Sequence, residues 1–227
     1  MRKKVSKKEA QRKFTSAFRK TLKENNEIPE ILDIARRNSQ GRVWIIGGFV
    51  YRGIIEKIYG HLPPVQGTDV DFLLEFNPKG DLVYIPEGWT QKTTGYNNIR
   101  LVRGETEIDL NYLGSFHSIQ ARGFPADIKH FFTGTPLNVQ SIAYELTQQQ
   151  VIGPEGIKAI RKKFVKINNL KEAEYELQGT GKGIDDLVIE KAATELNFIP
   201  DIRIPQKPQR VSYREIGETL KGIIKNS

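Results

Sequence analysis

The sequence predicts an α+β (mixed α/β) fold: a mixed sheet flanked by helices, with a basic helix before it and a small, mostly helical extension after it. Three observations predict it. A buried apolar run, RVWII (42–46), is followed by a glycine pair and then by apolar residues at helical spacing, Val50, Ile54 and Ile58. The segment DVDFLLEF (69–76) alternates as a strand, and short β-rich segments follow it between glycine turns. The N-terminal stretch carries a helical stripe, Phe14, Phe18 and Leu22, in an otherwise basic background.

The 227 residues suffice for one full domain with appendages or two small ones. With 38% hydrophobic and 27% charged residues the balance is that of a globular chain. A formal charge of +8 favours anionic partners, nucleotides and nucleic acid first. The absence of cysteine excludes disulfides, thiolate metal sites and cysteine nucleophiles. No apolar run reaches the roughly 20 residues of a bilayer span, and no apolar segment follows the basic N-terminus as a secretory signal would require. The expected compartment is the cytoplasm.

Taken in order, residues 2–23 hold ten Lys or Arg and predict an amphipathic helix. Its basic side is a solvated face or an arm for phosphates, with Arg12 and Lys13 on it, and a targeting peptide is the third reading. Residues 28–39 predict a short helix that Gly41 ends. After the strand at 42–46, Gly47-Gly48 turn into a helix over Phe49–Tyr59. Pro63, Pro64 and Gly67 mark a loop before the strand 69–76. Val83–Ile85, Trp89–Thr94, Ile99–Arg103 and Glu105–Leu113 predict short strands, a meander on a mixed sheet. Thr135-Pro136 signals a helix running to about Ala143. Tyr144–Leu146 and Val151–Ile152 read as a strand pair. A basic helix over Glu155–Lys163 and a strand over Phe164–Ile167 close the unit. Helices over Ile184–Asn197 and Tyr213–Ile224 belong to the extension. The expected organisation is a basic helical arm (1–27), a head domain (28–169) and a helical extension (170–227).

The chemistry concentrates on carboxylates. Asp69 and Asp71, two apart on a strand, project from one face, while Val70, Phe72, Leu74 and Phe76 take the other. Paired carboxylates repel unless a cation sits between them, and Mg²⁺ prefers a few carboxylates together with substrate phosphates. Two such ions can hold the attacking and leaving oxygens of a phosphoryl displacement; Mn²⁺ could replace them. Asp109, flanked by core-facing Ile108 and Leu110, would join that face from an adjacent strand and activate the attacking hydroxyl. Gly47 and Gly48, at a strand-to-helix turn, let backbone N–H groups approach an anion. Lys158, Arg161 and Lys162 share a helix face that is either solvated or a contact for nucleic-acid or nucleotide phosphates. Arg100 and Arg103 allow the same two readings.

Other signals carry less. His61, His117 and His130 lack metal-ligand spacing. Gly179-Thr180-Gly181-Lys182-Gly183 lacks the spacing of a phosphate loop and reads as a flexible turn. The segment from Ser212 to Leu220 resembles the first helix of a helix-turn-helix, but no recognition helix follows it.

The order IIGGFVYRGII, TDVDFLLE, EIDLNYL resembles the nucleotidyltransferase superfamily that includes DNA polymerase beta. It is most similar to the head domain of poly(A) polymerases and CCA-adding enzymes, where a segment like FTINALAYD precedes a turn and a basic helix. Here LNVQSIAYEL and VIGPEGIKAIRKKFVKI occupy that place. The resemblance covers roughly residues 42–168. It implies a nucleotidyltransferase fold, a nucleoside triphosphate over Gly47 and Gly48, and a two-metal site on Asp69, Asp71 and Asp109. Arg52 and Gln140 stand near family positions that help hold the nucleotide. The chain departs from the family pattern at Tyr51-Arg52, at Gly134-Thr135-Pro136 and at Gln140, so base choice does not carry over. The last 58 residues are too short for the family's tRNA-gripping domains, so CCA addition is not implied. The expected reaction moves a nucleoside monophosphate to an RNA 3′ end. A protein or small-molecule hydroxyl as acceptor, or an inactive RNA-binding scaffold on the same fold, are the alternatives.

Overall fold

Which face of the sheet a strand residue takes decides which helices cover it. The computed structural model describes residues 6–60, 62–63, 67–75, 83–95 and 98–203. Phe76 at the end of the second strand, His61, the segment 212–220 and the helix expected at Tyr213–Ile224 lie outside the described residues.

Seven strands form the main sheet. They are β1 (Val43–Ile46), β2 (Thr68–Leu74), β3 (Thr90–Thr93), β4 (Ile99–Arg103), β5 (Thr106–Tyr112), β6 (Ala143–Glu145) and β7 (Gln150–Ile152), in the order β3-β4-β5-β2-β1-β6-β7. β2 and β5 run parallel; every other neighbouring pair is antiparallel. The sheet is therefore mixed, with the expected meander at β3-β4-β5.

One face presents Val43, Ile45, Val70, Phe72, Ile108 and Leu110 to the larger core. Helices α1 (Lys7–Glu24), α2 (Ile28–Arg37), α3 (Gly47–Tyr59) and α6 (Pro154–Lys162) bury their apolar residues there. Helix α1 starts because Ser6 caps it, its hydroxyl accepting from Glu9 N at 3.2 Å. It stays because Phe14 and Phe18 are buried, each a contribution of about 1.5–3 kcal/mol. Its polar side chains also close the open edge of the sheet. Gln11 Nε2 donates to Val151 O at 2.8 Å, Thr15 Oγ1 accepts from Val151 N at 3.0 Å, and Arg19 Nη2 donates to Gln149 O at 2.7 Å. Spacing by four puts all three on one helix face.

The other sheet face holds a smaller core, Trp44, Ile46, Leu73 and Ala143, under α4 (His117–Gln120) and α5 (Ile128–Thr133) with Leu113, Ile119 and Phe131. That cover is partial and leaves the polar positions of β2 and β5 open. Beyond the sheet, β8 (Phe164–Lys166) pairs in parallel with β9 (Ile199–Asp201). Between them lie α7 (Leu170–Glu176) and α8 (Ile184–Ile189), the latter continued by a π-helical turn, Glu190–Glu195. No helix among the described residues is long and apolar enough to cross a membrane.

Three local expectations are corrected. Val83–Ile85 is not a strand: both backbone groups of Tyr84 pair with the Asn38 side chain, Tyr84 N to Oδ1 at 2.8 Å and Nδ2 to Tyr84 O at 3.0 Å. Thr135-Pro136 opens no helix to Ala143, only the 3₁₀ turn Asn138–Gln140. The carbonyls a helix would need are taken elsewhere, Pro136 O by Asn168 N at 2.8 Å and Thr135 O by Asn168 Nδ2 at 3.1 Å. The helix expected from Phe49 starts at Gly47 itself, directly from β1.

Candidate active site

The parallel register of β2 and β5 places Asp69 beside Glu107 and Asp71 beside Asp109. Neighbouring strands lie about 4.8 Å apart, and residues two apart share a face. Four carboxylates thus share the incompletely covered face of the sheet. Asp69 sits exposed at the rim, Asp71 is half-buried and Asp109 is buried.

The end of β1 meets this group: Ile46 pairs with Asp71, and the next residue begins α3. Gly47 has φ +69°, and a Cβ there would collide with Asp71 Oδ2. Only glycine allows the chain to turn into the helix this close to the carboxylate. At Gly48 a Cβ would find only Tyr51 Oη, 3.8 Å away, so packing does not require that glycine. No side chain caps the α3 N-terminus, which leaves its first-turn N–H groups to other acceptors.

The crowding shows in the proton affinities. Burial, then the charges of Asp69 and Asp109, push the Asp71 carboxyl up to about 7. Partial loss of water at the rim, then the charge of Asp109, raises Asp69. Arg100, opposite Asp109 on β4, opposes both shifts. Its Nε and Nη2 donate to the two oxygens of Asp109 at 2.5 and 2.6 Å, and its Nη1 to Glu107 Oε2 at 2.5 Å. One guanidinium against four carboxylates leaves a face that a hard cation would relieve. Asp69 and Asp71 supply the oxygen donors Mg²⁺ takes. Among the described residues no three acidic or imidazole side chains are placed together to hold a metal ion, and Arg100 holds both oxygens of Asp109.

A cavity of about 680 Å³ opens over Asp71 and Asp109. That is within the range of small-ligand sites. Gly47, Arg100 and Gln140 line it, as does a wall of His117 from α4 with Glu172, Tyr175 and Glu176 from α7. The rings of His117 and Tyr175 stack at 4.3 Å, and Glu172 Oε2 lies 3.5 Å from His117 Nδ1. Crowding by neighbouring protein, although the residue is still reached by water, raises Glu176 from its ordinary value. Gln140 Oε1 accepts from Leu137 N at 2.9 Å, which holds the turn at the cavity floor.

Other expected site residues sit elsewhere. Arg52 points away, Nη2 donating to Pro63 O at 2.7 Å and Nη1 lying 3.7 Å from Glu195. Arg103 is held by Glu30 at 2.7 and 2.8 Å and lies over the Trp89 ring. Arg12 and Lys13 are exposed on α1, and Lys158, Arg161 and Lys162 lie on α6. Both helices cover the sheet face opposite the carboxylates. The sequence reading missed Glu107, Asn111 and the α7 wall. Glu107-x-Asp109-x-Asn111 carried a signal, because polar residues two apart in an apolar strand share a face. The α7 residues carried none: only tertiary packing brings them to the cavity.

No protein-family model and no curated protein matches the chain. Among solved structures it is similar to a tRNA-processing enzyme in an apo form, at 16% identity over 85% of this chain and 47% of that one, TM-score 0.49. It is similar to a tRNA nucleotidyltransferase complexed with a primer tRNA and an incoming ATP analog, at 18% identity over 87% of this chain and 52% of that one, TM-score 0.48. A CCA-adding enzyme with ATP matches at 14% identity over 71% of this chain and 43% of that one, TM-score 0.43. The chain spans about half the length of these structures.

Proposed function

We propose that the chain is a metal-dependent nucleotidyltransferase, moving a nucleoside monophosphate from a nucleoside triphosphate to an acceptor hydroxyl at an RNA 3′ end. One observation carries the reading: Asp71 and Asp109 stand in register on parallel strands beside a helix start that only glycine permits, at the floor of a ligand-sized cavity.

Asp69, Asp71 and Asp109 are the residues that would hold Mg²⁺, with Mn²⁺ as a substitute. Bound ions supply charge neutralisation and a template for in-line displacement. The chain's own groups do the rest. The first-turn N–H groups of α3 donate to phosphate oxygens, and the missing side chains of Gly47 and Gly48 let those oxygens come near. Gln140, which lines the cavity, positions the nucleotide. Asp109 accepts the proton of the acceptor hydroxyl as its oxygen bonds to the α-phosphorus. The bond from that phosphorus to the bridging oxygen breaks, and pyrophosphate leaves with the electron pair. Arg12, Lys13, Lys158, Arg161 and Lys162 contact backbone phosphates of the RNA on the opposite layer. The acceptor strand therefore passes an edge of the sheet to reach the cavity.

The test is transfer of label. Protein, Mg²⁺ and each α-labelled nucleoside triphosphate in turn are incubated with total RNA, beside an Asp69→Ala, Asp71→Ala control. Label in RNA that the control loses supports the reading and names the nucleotide. No labelled RNA from any nucleotide counts against the RNA acceptor and redirects the assay to protein and small-molecule hydroxyls.

A further inference from the structure

Arg100 is bound to the acidic face more extensively than any expected role for it requires. It stands in antiparallel register with Asp109 and grips that carboxylate as a fork, Nε to Oδ1 at 2.5 Å and Nη2 to Oδ2 at 2.6 Å. This planar two-bond pairing is the strong geometry for guanidinium and carboxylate, and lysine cannot reproduce it. A third bond, Nη1 to Glu107 Oε2 at 2.5 Å, ties the same guanidinium to a neighbour on the more exposed side. The Asp109 side chain is 11% exposed and that of Glu107 is 37% exposed, so the two partners differ in how readily water can replace Arg100.

We infer that Arg100 and a divalent cation compete for Asp109, so that Arg100 sets how tightly the acidic face takes its metal. The inference rests on the nucleotidyltransferase reading for the identity of the metal face. A dication needs an Asp109 oxygen and must approach within a few ångströms of it. A guanidinium hydrogen-bonded to both oxygens puts a positive charge in that approach, and the repulsion is strong because the site is partly shielded from water. Without the metal, Arg100 gives a buried carboxylate the partner it needs, since an uncompensated buried charge is costly. With the metal, Arg100 can release Asp109 and keep Glu107, so the exchange does not strand the guanidinium. Arg100 is thus a positioning residue: it governs when Asp109 is available as ligand and proton acceptor.

The experiment is a Mn²⁺ titration followed by electron paramagnetic resonance of the free ion, without nucleotide. It uses the full chain as wild type, Arg100→Gln, Arg100→Lys and Asp71→Asn. Arg100→Gln should bind Mn²⁺ about tenfold more tightly than wild type, the scale of a charge-assisted bond removed. Arg100→Lys keeps the charge without the fork and should fall between them. Should Arg100→Gln fail to fold, Arg100→Lys decides: tighter binding than wild type supports the competition, and equal or weaker binding overturns it. Equal or weaker binding by folded Arg100→Gln, with Asp71→Asn still losing Mn²⁺, overturns the competition alone and makes Arg100 a support that Asp109 needs. Wild type and Asp71→Asn binding alike would remove the acidic face as a metal site and overturn both readings.

Discussion

Gly47 and Asp71 are locked together: Gly47 adopts φ +69°, and a Cβ on it would overlap Asp71 Oδ2. Gly47→Ala therefore meets two penalties, a left-handed backbone costing about 1–2 kcal/mol and a side chain that must displace Asp71. Displacement by even about 1 Å lowers a positioned reaction by about 100-fold. Gly48→Ala, whose Cβ meets only Tyr51 Oη at 3.8 Å, should stay within about 1 kcal/mol of the parent in urea unfolding. Urea melts of the two variants check this, and equal unfolding would show that the closeness of Asp71 does not matter.

Asp71 should cost the metal-free protein stability near neutral pH. Its folded pKa of about 7 lies above its ordinary value of 3.8. A raised pKa means the folded chain keeps a proton that the unfolded chain has already released. The favourable contribution is complete below about pH 4 and is lost as pH rises through 7. Asp71→Asn removes that loss. In EDTA the variant should melt higher than wild type at pH 8 and alike at pH 4, while transfer activity disappears. A lower melting temperature for the variant at pH 8 would show that the carboxylate is better solvated than its surroundings imply.

The parts of this site legible in the sequence were those that strand alternation governs. Asp69, Asp71 and Asp109 each follow from residues two apart sharing a face, and the parallel pairing of β2 with β5 supplied the register. Local rules failed where a distant side chain took a backbone group. Asn38 pairs with both backbone groups of Tyr84, so a β-rich segment gains no strand partner. Asn168 takes the carbonyls of Thr135 and Pro136, so a good helix start leads to no long helix. The Arg100 fork was hidden for the same reason: the sequence shows Arg100 as one basic residue on a meander, and only the register of β4 with β5 sets it against Asp109.

The basic helix α1 should be needed for the integrity of the sheet as well as for its charge. β7 is an edge strand, and Thr15 Oγ1 accepts from Val151 N at 3.0 Å on that edge. Thr15→Val keeps the shape and removes the acceptor, which should cost about 1–3 kcal/mol for the amide left without a partner. Ser16→Ala, on the exposed side of the same helix, should change stability by less than about 0.5 kcal/mol. Urea denaturation measures both. If the two variants unfold alike, water serves Val151 as well as Thr15 does.

Binding and chemistry should separate, because the basic residues and the carboxylates occupy opposite faces of one sheet. Arg12, Lys13 and Lys162 are exposed on α1 and α6, in the layer over Val43, Ile45 and Phe72, whereas Asp69, Asp71 and Asp109 open the other way. Every cationic partner taken from an RNA phosphate should reduce the slope of log affinity against log salt by about 0.7–0.9. Replacing all three with alanine should flatten that slope by about 2–3 for RNA and raise KM for RNA. The maximal rate at saturating RNA should stay near the parent value, since none of the three touches the reacting atoms. A fall in maximal rate with an unchanged salt slope would place the RNA path on the carboxylate face and remove α1 and α6 from it.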